Sequence, residues 1–451
     1  MNIRRSVAAL SLCAALGVAA APAASAEDGP AGRSAGLYGT KDPKFDGVWR
    51  QSLALLAQDA VGVTPAKSAI DWLAGQQCAD GGFPAYRADT TKACDPKKGE
   101  FTDATSAAVQ ALAALGGRAD AVEKGIGWLK RHQNEDGGWG MNPGGPSDAN
   151  STSAAIGAFA ATGQDPAKGG KDGKDSEDGK DGEGGKDGHG GHGGKSPYDA
   201  LLGLQLGCAA KADERGAFAY TAAKGEPVAN ELATASAALA IQGKGFVFET
   251  VGKDKGAGPK PLRCEDGDSK DGAGSGGAGT PKEAAEAALA HLSRVMSDTG
   301  SHLKSAMPGA KDQPDFGGTA DAVVALAAGE HSAAAGKPLQ WLQSKESGAV
   351  AWAKGDPGAL AKLVLAAHAA GANPRDFGGA DLVQQLNATG PKPEAAAPDS
   401  GADAEGDSDG KGEEKKSDGG GIGGVWWTVG VCAVAGVGIG FLLSGRKRQQ
   451  L

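Results

Sequence analysis

Residues 124–140 read KGIGWLKRHQNEDGGWG, and the reading of this stretch decides the fold. Trp128 and Leu129 fall on the face of a helix that packs inward, and Gln133 stands near the helix end, where backbone groups lack intrahelical partners. Asp136-Gly137-Gly138 forms a turn, because glycine tolerates positive φ and aspartate bonds its own backbone. Trp139 then folds back over the turn and pins it. The stretch is a clasp between helices, and its parts recur. Trp72, Gln77, Gly81 and Phe83 form an earlier copy, while Gly216 with Phe218, and Trp341 with Trp352, are weaker ones.

Between the copies the chain repeats. Alanine-rich segments stop at Gly62, Gly116, Gly163, Gly243, Gly329 and Gly371. Glycine just past a helix closes it in the left-handed conformation, and prolines at 65, 166 and 374 reinforce three of the stops. The stops are 54, 47, 80, 86 and 42 residues apart. Two Gly-, Asp- and Lys-rich stretches, 166–197 and 252–281, are too poor in apolar residues to build a core. With them taken out, the long gaps shrink to 48 and 56, so one period of about 50 residues covers the body. Each period holds a second helix, beginning near Pro65, Arg118, Pro197, Pro281, Gly336 and Ala380. Segments such as DATSAAVQALAALG are apolar nearly all round, which marks them as buried; the second set is polar on one side and faces solvent. Six hairpins with small helices inside and amphipathic ones outside predict an all-α chain closed into a ring.

The motif of Trp128, Leu129, Gln133, Gly137 and Trp139 resembles the QW motif of the prenyltransferase and squalene cyclase (terpenoid cyclase-like) repeat family. The resemblance implies an α/α6 toroid over residues 48–390, in agreement with the count of six hairpins. That family's chemistries are poorly served here. A cyclase acid resembles Asp-x-Asp-Asp, and the chain has no Asp-Asp pair; diphosphate-bound magnesium would need Asp-Asp-x-x-Asp. Of 22 aromatic residues, 19 remain outside the C-terminal apolar stretch, too few for clasps and a carbocation cage together. The zinc site of protein prenyltransferases has no counterpart, since Asp-x-Cys is missing and His291, His302, His331 and His368 are scattered. No catalytic residue, metal site or cofactor is therefore assigned. Within the wider fold group, the transcobalamin-like vitamin B12 carriers are exported, non-catalytic and disulfide-bonded, but this chain shows no strand-rich second domain.

The ends place the body outside the cell. Arg4 and Arg5, an apolar run and Ala24-Ser25-Ala26 make residues 1–26 a secretory signal. A lead-in follows over 27–47. An acidic stalk, 391–421, precedes the uncharged run 425–443, long enough to span the roughly 30 Å hydrocarbon layer, and the basic tail 444–451 stays in the cytoplasm. The expected location is the cell membrane, crossed once, with the body extracellular. Four ectodomain cysteines fit that compartment. Three pairings exist, and Cys78 with Cys94 and Cys208 with Cys264 is favoured because each pair falls within one repeat. A net charge of −9 without a basic stripe excludes nucleic acid.

Thirteen residues before the closing glycine stand Asp103, Asn150 and Asn230, with Thr105 and Thr152 two residues further on in the first two. Such residues cap helices. They also form a polar ring at one mouth, joined by Glu231, Asp321, Tyr86 and Trp139 as candidate ligand contacts. The expected function is a monomeric, membrane-anchored binding protein that captures a small ligand, a corrinoid in its most concrete version, together with a surface or transporter partner protein. The alternative is a cyclase or prenyltransferase-type enzyme acting on an isoprenoid.

Overall fold

The computed structural model describes residues 35–95, 99–168, 195–222, 227–248, 257–264, 279–306, 309 and 312–394. Among these the chain is mostly helical. Six helices form one set: α1 (Gly47–Ala60), α3 (Thr102–Leu115), α5 (Ala149–Ala161), α7 (Glu231–Ala240), α9 (Phe316–Ala328) and α12 (Pro357–Ala369). Six alternate with them: α2 (Lys67–Gly75), α4 (Ala119–Arg131), α6 (Pro197–Leu202), α8 (Pro281–Asp298), α10 (Ser332–Gln343) and α13 (Leu382–Asn387). The sequence did not foretell α11 (Ala349–Ala353). Strand is confined to a two-residue antiparallel pair, β1 (Leu303–Lys304) with β2 (Pro314–Asp315), and a few isolated bridges.

The first set is buried along most of its length. Its alanines let helices approach closely, and the packing runs in cyclic order. Helix α1 packs on α3, α3 on α5, α5 on α7, α7 on α9, α9 on α12, and α12 returns to α1. The second set lies against these pairs, and the hairpins bury one large hydrophobic cluster and a smaller separate one between α3, α4 and α5 around Trp128 and Trp139. The seam between first and last units is made by distant residues. Gln58 donates to Asn387 at 2.6 Å, Gly39 N–H to the Thr389 carbonyl at 2.9 Å, and Glu394 meets Thr64 and Lys67. The folded body therefore begins before the expected boundary at 48. Tyr38 is fully buried with its hydroxyl on Gln58 and its N–H on Gln51, because the returning end of the chain needs an apolar partner there.

The glycine stops behave as expected at five of six places. Gly62, Gly116, Gly163, Gly243 and Gly371 all have φ near +70°. At the sixth, Glu330 takes the left-handed conformation at φ 65°, and Gly329 has φ −78°. Gly329 is needed there for another reason: a Cβ would stand 2.5 Å from Leu289 on α8.

The clasp works as a staple for two neighbouring inner helices. Trp139 donates its N–H to Thr152 on α5 at 3.0 Å and accepts from the N–H of Asp148, just before α5. Two residues on, the Met141 carbonyl accepts from Thr102, the first residue of α3. Phe83 repeats this with Thr105 and Phe101, as Ala85 does with Val48; Phe218 repeats it with Thr234 and Asn230, as Tyr220 does with Ala149. Leu303 donates in the same way to Thr319 on α9. The glutamine of the motif bonds the loop and the next hairpin rather than its own helix end. Gln77 donates to the Gly81 and Ala121 carbonyls, Gln133 to Gly137, and Gln205 to Gly216 and Ala284. Gly81, at φ 103°, leaves no room for a Cβ, which would lie 2.1 Å from the Lys124 carbonyl. Thr152→Val keeps the shape but strands the buried Trp139 N–H, and should lower unfolding free energy by about 1–3 kcal/mol; urea denaturation would measure it.

The segment after α7 touches α1, α3, α5 and α9 at once. Phe246 stacks edge-on against Trp49 of α1 at 5.5 Å, and its N–H donates to Gln110 of α3. Gly245 lies against Gly157 of α5, and Lys244 reaches the Ala328 carbonyl of α9. Phe246, Val247 and Phe248 are all buried. The void left beside them is about 10 Å³, room for one water at most.

Both favoured disulfides form. Cys78–Cys94 closes the loop after α2, and Cys208–Cys264 spans 56 residues to hold part of the second insertion across the outer face. There the Ala257 carbonyl accepts from His331 Nδ1–H, and Lys260 N–H donates to Glu286. Residues 1–26, the 425–443 span and the 444–451 tail lie outside the described residues. Among the described residues, no helix is long and apolar enough to cross a membrane.

Candidate functional site

The hydrogen bonds of the staples bring the N-termini of α1, α3, α5 and α7 to one end. Lys41 pairs with Asp356 before α12 while its carbonyl accepts from Arg50 of α1, and Leu232 of α7 abuts Gly318 of α9. This end is the mouth to which the sequence assigned its polar ring.

That ring is not one set of equivalent positions. Asp103 and Asn150 are each the second residue of their helix, whereas Asn230 precedes its helix and caps it, accepting from Ala233 N–H at 2.8 Å. The count slipped because α7 ends three residues before Gly243, while α3 runs to within one of Gly116. The structural counterparts of Asn230 are Asp148, Asp315 and Asp356, each of which caps its helix. The sequence reading passed over all three, although Asp directly before an alanine- or glycine-rich segment is a recognised start signal.

What the mouth does gather is a carboxyl pair beside a phenol. Asp103 has its carboxyl held at a pKa of about 6 by burial first, with the Asp148 charge adding and the Ala104 N–H opposing. Burial also raises Asp148, against the N–H and hydroxyl of Ser151. Tyr220 is pushed above the ordinary phenol range by burial and then by those two carboxylates. Asn150 has a buried Oδ1 without a hydrogen-bond partner. Glu231 begins α7 and stands 3.8 Å from His291, a buried imidazole neither of whose nitrogens is hydrogen-bonded.

Other assigned residues serve elsewhere. Thr105 and Thr152 are fully buried acceptors of the staples, and Trp139 is fully buried with its indole N–H on the Leu129 carbonyl, which leaves no surface for a ligand. Asp321 forms a buried ion pair with Lys362 of α12 at 2.7 Å, deeper between the helices. Tyr86 stacks on Trp72, 6.4 Å between ring centres. Asp136 is a turn residue, accepting from Gly138 N–H and Ser147. A metal could find ligand atoms gathered at Cys78, Cys94 and Glu100, but the first two share a disulfide and only one carboxylate remains.

Sequence reasoning missed the apolar rim of this mouth. Among the described residues the large apolar side chains that stay exposed are Phe45, Val228, Trp352 and Met141. Phe45 lies two residues before α1 and Val228 three before α7, Met141 is bonded to the start of α3, and Trp352 is tilted against Phe316, the first residue of α9. Scattered exposed apolar residues are ordinary, and these four share their nearness to the starts of α1, α3, α7 and α9. Their position outside any helical period hid the pattern.

No protein-family model matches the chain, and no curated protein does. Among solved structures, 24 chains match. One is a crystal structure of a protein from Actinoplanes, 14% identical, covering 74% of this chain and 92% of its own, with a TM-score of 0.39. At that distance neither fold nor function transfers.

Proposed function

We propose that the chain is an exported, membrane-anchored α/α6 toroid that binds without catalysis, using the rim of its N-terminal mouth. The cyclic packing order of the six inner helices supports the toroid, as does the repeated staple at the residues that resemble a QW motif. The two disulfides fit an oxidising compartment. The observation that carries the binding role is the coincidence, at one mouth, of exposed Phe45, Val228, Met141 and Trp352 with the carboxyls of Asp103, Asp148 and Glu231. The filled bore argues against an isoprenoid enclosed within the ring and favours a ligand lying across the rim, held there with a partner protein. Corrinoid capture is the concrete version. Isothermal titration of the full chain with cobalamin, alone and with the product of a neighbouring gene, should give heat and a spectral change that Trp352→Ser with Val228→Ser abolishes. Silence in both arms rejects the corrinoid.

A second reading rests on Asp103. A carboxyl still partly protonated near neutral pH is what an acid catalyst needs. If the chain is a cyclase or prenyltransferase-type enzyme, squalene or a prenyl diphosphate gives product that Asp103→Asn removes. Unchanged substrate ends this reading.

A further inference from the structure

A cleft of about 430 Å³ opens between the end of α10, helix α11 and the turn before α13, beside the short helix whose Trp352 meets Phe316. That volume is within the range of small-molecule sites. Its floor is apolar, made by Val350, Ala351 and Ala380, and its walls include the bare backbone of Gly348 and Gly379. A Cβ at either glycine would meet nothing within 4 Å, so the space above them is open. Lys345 and Lys354 flank the floor and are exposed, and among the described residues neither forms a salt bridge. In a chain of net charge −9, two unpaired cations around an apolar floor are not the background surface.

We propose that this cleft is a second binding site, for a small carboxylate with an apolar body. The apolar part lies on Val350, Ala351 and Ala380, and the carboxylate sits between the two ammonium groups. Gln343 and Gln385 supply amide donors on the same walls. A cation of the same shape meets repulsion from both lysines, and a neutral analogue gains only the floor, so charge sets the preference.

The test uses three water-soluble probes of one shape, 4-phenylbutyrate, 4-phenylbutylamine and 4-phenylbutanol, titrated into the full chain. Saturation-transfer NMR and calorimetry read the binding. The carboxylate should bind, the alcohol more weakly and the amine not at all. Lys345→Glu with Lys354→Glu should weaken the carboxylate about tenfold, the effect of two partly exposed ion pairs. Ala351→Trp, which fills the floor, should remove it, while Asp103→Asn at the mouth should change nothing. Equal binding of the amine, indifference to the double charge reversal, or no carboxylate binding at millimolar concentration would each overturn the assignment. Loss of binding in Asp103→Asn would do the same, by moving the probe to the mouth.

Discussion

Trp139→Ala is expected to lower unfolding free energy by about 3–5 kcal/mol, the range for a large aromatic removed from a packed core. Trp139 is fully buried, packs 6.0 Å from Phe159 between ring centres, and donates its indole N–H to the Leu129 carbonyl at 2.8 Å. The substitution leaves the backbone staple to Thr152 in place but removes the weight that holds the turn closed. A chemical denaturation curve gives the loss directly. A change below about 1 kcal/mol would mean that the backbone bonds alone hold α3 and α5 together, and that the aromatic residue is dispensable to the motif.

Asp103→Asn should act in the opposite direction and stabilise the protein. Burial lifts the folded-state pKa of Asp103 to about 6 from an ordinary 3.8. The unfolded chain therefore releases its proton more readily than the folded one, and folding becomes less favourable as pH rises from about 4 through 6. Above that range the penalty is complete, on the order of 2–3 kcal/mol, and below pH 4 it is absent. Asparagine keeps an acceptor for the Ala104 N–H and never ionises. The variant should thus exceed the natural chain at pH 7 by about 2–3 kcal/mol and match it at pH 3.5. Asp59, raised to about 6 by burial alone at the far end of α1, offers a control. If Asp59→Asn stabilises and Asp103→Asn does not, the carboxylate at the mouth has a compensating partner.

The hairpin count was legible because alanine segments and glycine stops are local features, and they located all six inner helices. Gly329 shows the limit. A glycine needed for close approach to Leu289 looks, in sequence, like one needed for positive φ. The third clasp was half seen for a related reason: Gln205 stands eleven residues before Gly216, where the intact copies have four, so its role emerged only from its bonds to Gly216 and Ala284. The Cys78–Cys94 disulfide followed from the repeat, since both residues lie in one unit, whereas Cys208–Cys264 crosses the stop at Gly243. The place of the segment after α7 did not. Phe246-Val247-Phe248 borders a low-complexity stretch, and nothing in its spacing tells that it turns inward to meet Trp49. Asn230 was aligned with Asp103 and Asn150 for the same reason, because a count from the far end of a helix cannot sense that α7 is one turn shorter.

The seam at which the ring closes has a mechanical consequence. Glu394, the last of the described residues, lies beside Thr64 and Lys67, only a few residues beyond the short helix α13. Tension applied through a stalk would peel that six-residue helix away, breaking the Glu394, Thr389 and Asn387 bonds one after another, before it could load the long helices behind them. The C-terminal edge is thus the weakest hem of the described structure, and single-molecule pulling from the C-terminal side should yield first at low force, well ahead of the rupture seen when the same body is stretched from its N-terminal side and any interior pair.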